Sequence, residues 1–402
     1  RRVSPTLQWW LDFLRRAGAA AGTNLAVVDA YIQQVKSEAH TRRRQLFPLM
    51  EAVARFMRRS LPARRLLSNL QRRFMPHIYA DLFEKYHPDL VIAGSPGFRQ
   101  DRYLLREAAA REIPTAAAII SWDSSSSYGL PGAPVDWITC WSEIQKSELM
   151  GGADWPAERV NVGGMPPYDG YVRGEWLLPR DEYFRQHGLD PQRKLLSYAS
   201  SFVSWSPNIQ NVEALARLVI SDQLVEPAQL LVRLHPIHMS GHYVAEAERI
   251  RQLARQNAHI HVVEPAPLGA LGHYSGEDVT ERTSMMAHSD VFLTVYSTMC
   301  VEASFQERPI VSVGIDSSDG YPGKYWVPMS LIGVWPTHSR FRTSGAGRVA
   351  LNETDLREAI NYYLKNPGAN LDAQRRFLAQ ECTYLDGSAG RRTAEYFLSL
   401  IR

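Results

Sequence analysis

The sequence is poor in cysteine and contains no long apolar run. Cys140, Cys300 and Cys382 are its only cysteines. They lie far apart, with no C-x-x-C pair and no even set on which a disulfide framework is built, a pattern that suits a reducing compartment and argues against a structural zinc. No stretch approaches the roughly 20 apolar residues of a membrane-spanning helix, and no leader with a charged start, an apolar middle and a small-residue end precedes the body. A cytoplasmic protein is therefore expected. The first residue is Arg1 rather than Met, which leaves room for an opening strand ahead of it. Internal repeats and low-complexity tracts are absent. No Asp-x-Asp pair stands at the end of a candidate strand, so metal-independent chemistry is expected. At 402 residues, 45% hydrophobic and 22% charged, the chain is long enough to bury two cores in two globular domains.

The net charge of +3 conceals an asymmetry: Arg1 to Met75 holds 15 Lys/Arg against 4 Asp/Glu, so the rest of the chain carries −8. The basic clusters Arg15-Arg16, Arg42 to Arg44, Arg58-Arg59, Arg64-Arg65 and Arg72-Arg73 are interleaved with Trp9, Trp10, Leu11, Phe13, Phe47, Phe56, Met57 and Leu66. Amphipathic helices with a basic face give this pattern. Such a face rests on anionic lipid, receives a polyanionic acceptor, or is a solvated cover over a core. Nucleic acid fits less well, because no recognised binding motif accompanies the charge.

From about Ile78 the pattern changes to short β runs alternating with helices. "DLVIAGSPG" (Asp89 to Gly97) is a buried strand ending in a turn, "DRYLLREAAAREI" a helix, and "PTAAAIIS", "DWITCWS" and "AERVNVGGMP" further strands. Strand, helix, strand at this spacing implies a parallel sheet covered by helices. "GGMPPYDGY" (Gly163 to Tyr171) breaks the series, a helix "PRDEYFRQHGL" follows, and a second α/β set starts, which puts the domain boundary near residues 165 to 192. The second set runs "RKLLSYASS", a helix around "NVEALARLVI", "AQLLVRLHP", "AHIHVVEP", the helix "DVTERTSMMAHS", "DVFLTVYS", the helix "MCVEASFQE" and "RPIVSVG". These make a second Rossmann-like sheet, in which ligands are expected beyond the carboxyl ends of the strands.

The chemistry-bearing residues of this half fall there. Arg233 and His235 close the strand "LLVRLHP" and can hold phosphate oxygens, or His235 can simply be satisfied by local backbone. Ser297 and Thr298 follow another strand and precede a helix, where they bind an anion or serve only as caps. Glu302, one turn inside that helix, is a carboxylate among Met, Cys, Val, Ala and Phe. It is either a helix-dipole partner or a hook for the two hydroxyls of a ribose.

The order strand, "RLHP", strand, helix, Ser-Asp, strand, "YSTMCVEASFQERPIV" resembles the C-terminal nucleotide-binding domain of the GT-B-fold glycosyltransferase superfamily. Transferases that use CMP-sugar or CDP-glycerol donors and carry a His-Pro pair look similar. The resemblance covers most of the chain, including "ERVNVGGMPPYD", similar to the segment between the two domains, and "YLDGSAGRRTAEYFLSLI", similar to final helices that cross back. It implies an α/β fold of two Rossmann-like domains facing across a cleft, with a helix-rich basic N-terminal region. Residues 1–175 would form the acceptor-binding domain, 176–370 the nucleotide-donor domain and 371–402 the returning helices. Carried over, Arg233, His235, Ser297, Thr298, Ser200 and Ser201 bind the donor phosphates and Glu302 the ribose. Base recognition falls around Val263 to Leu268. Retaining members often carry a second Glu about one strand end before the ribose Glu. Here Thr294 and Val295 occupy that region, which favours inversion.

An inverting transferase needs a general base for the acceptor hydroxyl. In this fold it comes from loops of the first domain, and Asp123 in "IISWDSSSSYG" is the leading candidate, with Trp122 as a sugar-stacking surface and Ser124 as an acceptor contact. An Asx turn is the structural alternative for Asp123, and Asp101, Asp169 and Glu143 are rival bases. The expected activity is transfer of a sugar from a UDP-, GDP-, CMP- or CDP-linked donor to a glycan or lipid-linked acceptor in cell-surface polysaccharide synthesis, without a cofactor and on the inner face of the cell membrane. Alternatives are a CDP-glycerol-type polyol-phosphate transferase, a nucleotide-sugar 2-epimerase-like enzyme, whose early phosphate-loop signature and acidic cluster are not evident, and a non-catalytic nucleotide- or glycan-binding protein.

Overall fold

The computed structural model describes residues 4–119, 121–201, 206–239, 241–268, 273–274, 276–318 and 327–401. The chain forms two compact units, Arg1–Asp169 with Ala379–Arg402, and Gly170–Leu378.

The first unit opens with α1 (Pro5–Ala17), α2 (Leu25–Glu38), α3 (Thr41–Arg44), α4 (Phe47–Arg59) and α5 (Leu61–Arg72). Their ends are written in the sequence. Ser4, Asn24 and Ser60 accept the N–H of the third residue on, Pro5 and Pro62 stand in the first turns, and Arg15 and Arg16 lie at the negative end of α1. Trp10, Phe13, Leu14, Phe47, Met57 and Leu67 form the core of this helical layer. Its rings meet edge to face, Trp10 with Phe13 at 5.6 Å and Phe13 with Phe47 at 5.4 Å. Most of the aromatic residues interleaved with arginines are therefore core, whereas Phe56 and Leu66 stay 64% and 61% exposed.

Behind these helices lies a sheet of four parallel strands, β1 (Val91–Ala93), β2 (Thr115–Ala118), β3 (Trp137–Cys140) and β4 (Val160–Val162), in the order β1-β2-β3-β4. Ala116, Ala117 and Ile138 are wholly buried. The C-terminal helix Ala389–Leu398 belongs to this unit. The buried carboxylate of Asp169 receives the Ala389 N–H at 2.9 Å and the Gly390 N–H at 2.7 Å, so Asp169 caps a helix and is committed away from the base role for which it was a rival.

The second unit holds β5 (Lys194–Ala199), β6 (Ala228–Arg233), β7 (Ile260–Val263), a short antiparallel pair β8 (Pro267–Leu268) and β9 (His273–Tyr274), then β10 (Val291–Thr294), β11 (Ile310–Val313) and β12 (Arg348–Ala350). The main sheet is parallel throughout and runs β12-β11-β10-β5-β6-β7. Nearly every residue of β5, β6, β10 and β11 is buried, because helices cover both faces of a parallel sheet. The winding starts at β5, proceeds outward through β6 and β7, then returns to the other side through β10, β11 and β12. The reversal between β5 and β10 is the topological switch point at which open sheets of this kind accept ligands.

Replacing Asp169 with Ala leaves two helix N–H groups, one buried and one half-buried, without an acceptor. It is expected to lower stability by about 1–3 kcal/mol, read as a lower urea midpoint; an unchanged midpoint would show that the cap contributes nothing.

Candidate functional site

Three strand ends of the second unit carry the residues of interest. After β5 the chain turns through Ser200 and Ser201. The Ser200 hydroxyl donates to the Arg233 carbonyl at 3.1 Å and accepts the His235 N–H at 2.7 Å, which ties the β5 exit to the β6 exit. Ser200 is therefore occupied as a stitch between strands. Asn208, fully buried, fixes the next residue by accepting the Ser201 N–H at 2.9 Å and donating to its carbonyl at 3.0 Å. Residues 202–205, which follow, lie outside the described residues.

At the β6 exit the sequence reading needs correcting. Arg233 is buried and its guanidinium pairs with Asp278 at 2.5 Å. Its charge is neutralised by a carboxylate of the helix Gly276–His288 and is not held open for phosphate. His235 is half-buried, and burial, with His238 and Arg233 adding to it, holds its imidazole down at about 4. Near neutral pH it is uncharged. Its Nδ1 accepts the Ile237 N–H at 3.2 Å, which places the ring proton on Nε2 as a hydrogen-bond donor.

After β10, Val295 and Tyr296 are buried and Ser297 and Thr298 are half-buried. Ser297 Oγ accepts the Met299 N–H at 3.2 Å, whereas Thr298, at the cap position of the helix Met299–Phe305, makes no side-chain cap bond. Glu302 is 7% exposed. Its Oε2 accepts the Tyr171 hydroxyl at 2.8 Å and lies 3.1 Å from Arg282 Nε, an ionic contact off the hydrogen-bond axis. Glu302 accordingly pushes the Arg282 guanidinium well above its ordinary range. Among the described residues no donor reaches Glu302 Oε1, so one carboxylate oxygen is fixed while the other keeps its acceptor capacity.

Sequence reasoning missed Asn208, Asp278, Arg282 and Tyr171. Asp278 and Arg282 share a helix face at i and i+4, which is legible. That they meet Arg233 and Glu302 depends on how the helix lies on the sheet.

In the first unit, the expected acceptor contacts are overturned. Trp122 is 1% exposed and its indole N–H donates to Glu381 at 2.7 Å, so it offers no stacking face. Ser124 opens a buried helical turn, Ser124–Ser127, in place of a flexible loop. Thr23 Oγ1 donates to the Ser126 carbonyl at 2.7 Å and Arg16 Nε to the Ser127 carbonyl at 3.0 Å, which bolts the turn to the N-terminal helices. Asp123 precedes it, half-buried, and accepts the Ser121 hydroxyl at 2.7 Å. Of the rivals, Asp101 accepts from Ser95 and from the Arg99 N–H, and Glu143 lies in the first turn of the helix Glu143–Ala153.

The low value of His235 fixes the sign of its pH effect. The unfolded imidazole takes up its proton near 6.5 and the folded one only near 4. The stability it contributes is thus complete above about pH 6.5 and is lost as pH falls towards 4. Glu246, raised by burial to about 7, acts oppositely, losing its contribution as pH rises through that value. His235→Gln is expected to flatten the fall in unfolding midpoint between these two histidine values; a variant profile parallel to wild type would mean that His235 titrates normally.

No protein-family model and no curated protein matches the sequence. Solved structures do. S. aureus MnaA in complex with UDP aligns at a TM-score of 0.52 and 14% identity, covering 84% of this chain and 82% of the other. A UDP-GlcNAc 2-epimerase from Neisseria meningitidis bound to UDP-GlcNAc aligns at 0.50 and 14%, covering 79% and 78%. A glycosyltransferase from Rickettsia africae aligns at 0.49 and 12%, covering 84% and 82%. With its two parallel sheets, their covering helices and its likeness to the first two of these structures, the chain has the two-domain α/β architecture of the GT-B fold.

Proposed function

We propose that the protein is an inverting, metal-independent transferase that moves a sugar from a nucleotide-linked donor to a glycan or lipid-linked acceptor in cell-surface polysaccharide synthesis. The observation that carries this reading is the gathering of Ser201, His235, Ser297, Thr298 and Glu302 at the carboxyl ends of β5, β6 and β10, around the strand-order reversal of a GT-B sheet. Glu302, held by Tyr171 and Arg282, takes the ribose through Oε1. With Arg233 engaged by Asp278, the donor phosphates fall to the hydroxyls of Ser297 and Thr298, beside the neutral imidazole of His235. Asp123 removes the proton of the acceptor hydroxyl, and the oxygen attacks the anomeric carbon. The bond from that carbon to the nucleotide phosphate breaks, and the departing phosphate keeps the electron pair, stabilised by the same donors.

A second reading is supported by the Neisseria meningitidis neighbour, a UDP-GlcNAc 2-epimerase: the same donor site would then serve inversion at the sugar's C2. Incubation with UDP-, GDP-, CDP- and CMP-linked donors separates the possibilities. The transferase reading expects nucleotide release that Asp123→Asn abolishes and nucleotide binding that Glu302→Ala weakens by about tenfold. A 2-epimer by NMR with no nucleotide lost points to the epimerase, and binding without turnover to a binding protein.

The outer face of α4 and α5 supports contact with an anionic membrane surface. Leu49, Phe56 and Leu66 are 62%, 64% and 61% exposed, and Arg55, Arg59 and Arg65 flank them. Apolar side chains entering the acyl boundary beside cations at headgroup level give the two terms of such binding. Among the described residues no helix is long and apolar enough to cross a membrane. The protein is expected to sediment with phosphatidylglycerol vesicles and not with phosphatidylcholine, and the double variant Phe56→Ser, Leu66→Ser to lose most of this binding. Equal sedimentation with both lipids would reject the membrane surface.

A further inference from the structure

The first unit contains a cavity of about 360 Å³ that the proposed reaction does not use. Its walls are α5, the segment Leu130–Val135 and the segment Ala153–Pro156. The second wall leads into the amino end of β3 and the third into that of β4. The cavity therefore lies at the opposite end of the first sheet from the strand exits, where Asp123 follows β2 and where ligands of such sheets are ordinarily received.

Its chemistry is lopsided. Among the described residues Asp154 is the only carboxylate lining it, and Arg64 neutralises that carboxylate with a two-pronged pair, Nε to Oδ2 at 2.6 Å and Nη2 to Oδ1 at 2.8 Å. Arg64 also donates to the carbonyls of Met57 and Arg58, so it is fully employed. One turn of α5 then presents Arg65, Ser68 and Asn69, whose side chains have no ion pair or hydrogen bond among the described residues. The remaining wall is apolar and stiff: Pro131, Pro134, Val135, Pro156 and the ring of Trp155. The buried indole N–H of Trp155 also lacks an acceptor. Every uncommitted polar group here is a donor or a neutral amide, and the uncommitted charge is positive. The volume sits at the low end of the range for small-molecule sites.

We propose that this cavity binds an amphipathic anion, a phosphate bonded to a single apolar chain, with the phosphate on Arg65, Ser68 and Asn69 and the apolar chain against the prolines and Trp155. Lipid phosphates and soluble organic phosphates share this chemistry. The lipid source gains from position, since Leu66 and Leu70 lie exposed on the outer side of the same helix.

Decyl phosphate, used below its micellar concentration, tests the site by calorimetry together with NMR of protein carrying ¹⁵N-labelled tryptophan, the Trp155 indole signal being identified with Trp155→Phe. Saturable binding at one site is expected, with a shift of the Trp155 indole resonance. Arg65→Gln should weaken it about tenfold, the loss of a charge-assisted contact, and Ser68→Phe, which fills the cavity, should abolish it. Absence of binding, or binding equal in wild type and both variants, overturns the proposal. So does inorganic phosphate binding as tightly as decyl phosphate, because the apolar wall would then play no part. Competition by phosphatidic acid vesicles supports a membrane lipid as the source, and saturable binding that these vesicles leave untouched supports a soluble ligand. None of these readouts involves a nucleotide, so they stand or fall separately from the transferase reading.

Discussion

The candidate site depends on one pairing: β5 lies between β6 and β10, parallel to both, with Ala199 level with Arg233 on one side and Thr294 on the other. Because the three strands end at the same level, the loops that follow are brought side by side although 95 residues separate Ala199 from Thr294 in the chain. Because the winding reverses at β5, the loops after β5 and β10 depart to opposite sides and leave a crevice. Slipping this register would separate Ser201, His235 and Glu302.

Most polar groups around that crevice are already satisfied by the protein. Ser200 joins two strand exits, Asn208 holds the following turn, Asp278 neutralises Arg233, and Arg282 with Tyr171 fixes one oxygen of Glu302. Buried charges are tolerated only when paired in this way, and the pairing keeps each group in one orientation before a ligand arrives. The helix Gly276–His288 supplies both Asp278 and Arg282, so a single element restrains the two residues that the sequence nominated for phosphate and ribose. What remains for a ligand is narrower than the residue types suggest: the hydroxyls after β10 and the second oxygen of Glu302.

The basic end of the chain divides by the same rule. Arg15 and Arg64 are buried because carbonyls, and for Arg64 the Asp154 carboxylate, take up their donors. Among the described residues Arg55, Arg59 and Arg65 find no such partners, and they stay outside beside exposed Leu49, Phe56 and Leu66. A close backbone approach holds the helical layer to the rest of the unit. Gly22 lies against Gly151, where a Cβ would overlap the Gly151 carbonyl.

The sequence by itself determined the alternation of strands and helices, since apolar runs such as "LLVRL" and "VFLTV" must be buried and are bounded by Gly, Pro, Ser and Asp. It also determined the capped N-terminal helices and the placing of Arg233, His235, Ser297, Thr298 and Glu302 at strand exits, because periodicity and turn residues act over a few positions. Tertiary structure decided which of those residues are at liberty. That Trp122 is buried on Glu381, Asp169 caps the helix Ala389–Leu398 and Arg233 is spent on Asp278 depends on partners 259, 221 and 45 residues away. Such contacts leave no local pattern, because a carboxylate or an indole has the same identity whether it meets a ligand, a distant helix or water, and only packing selects among them.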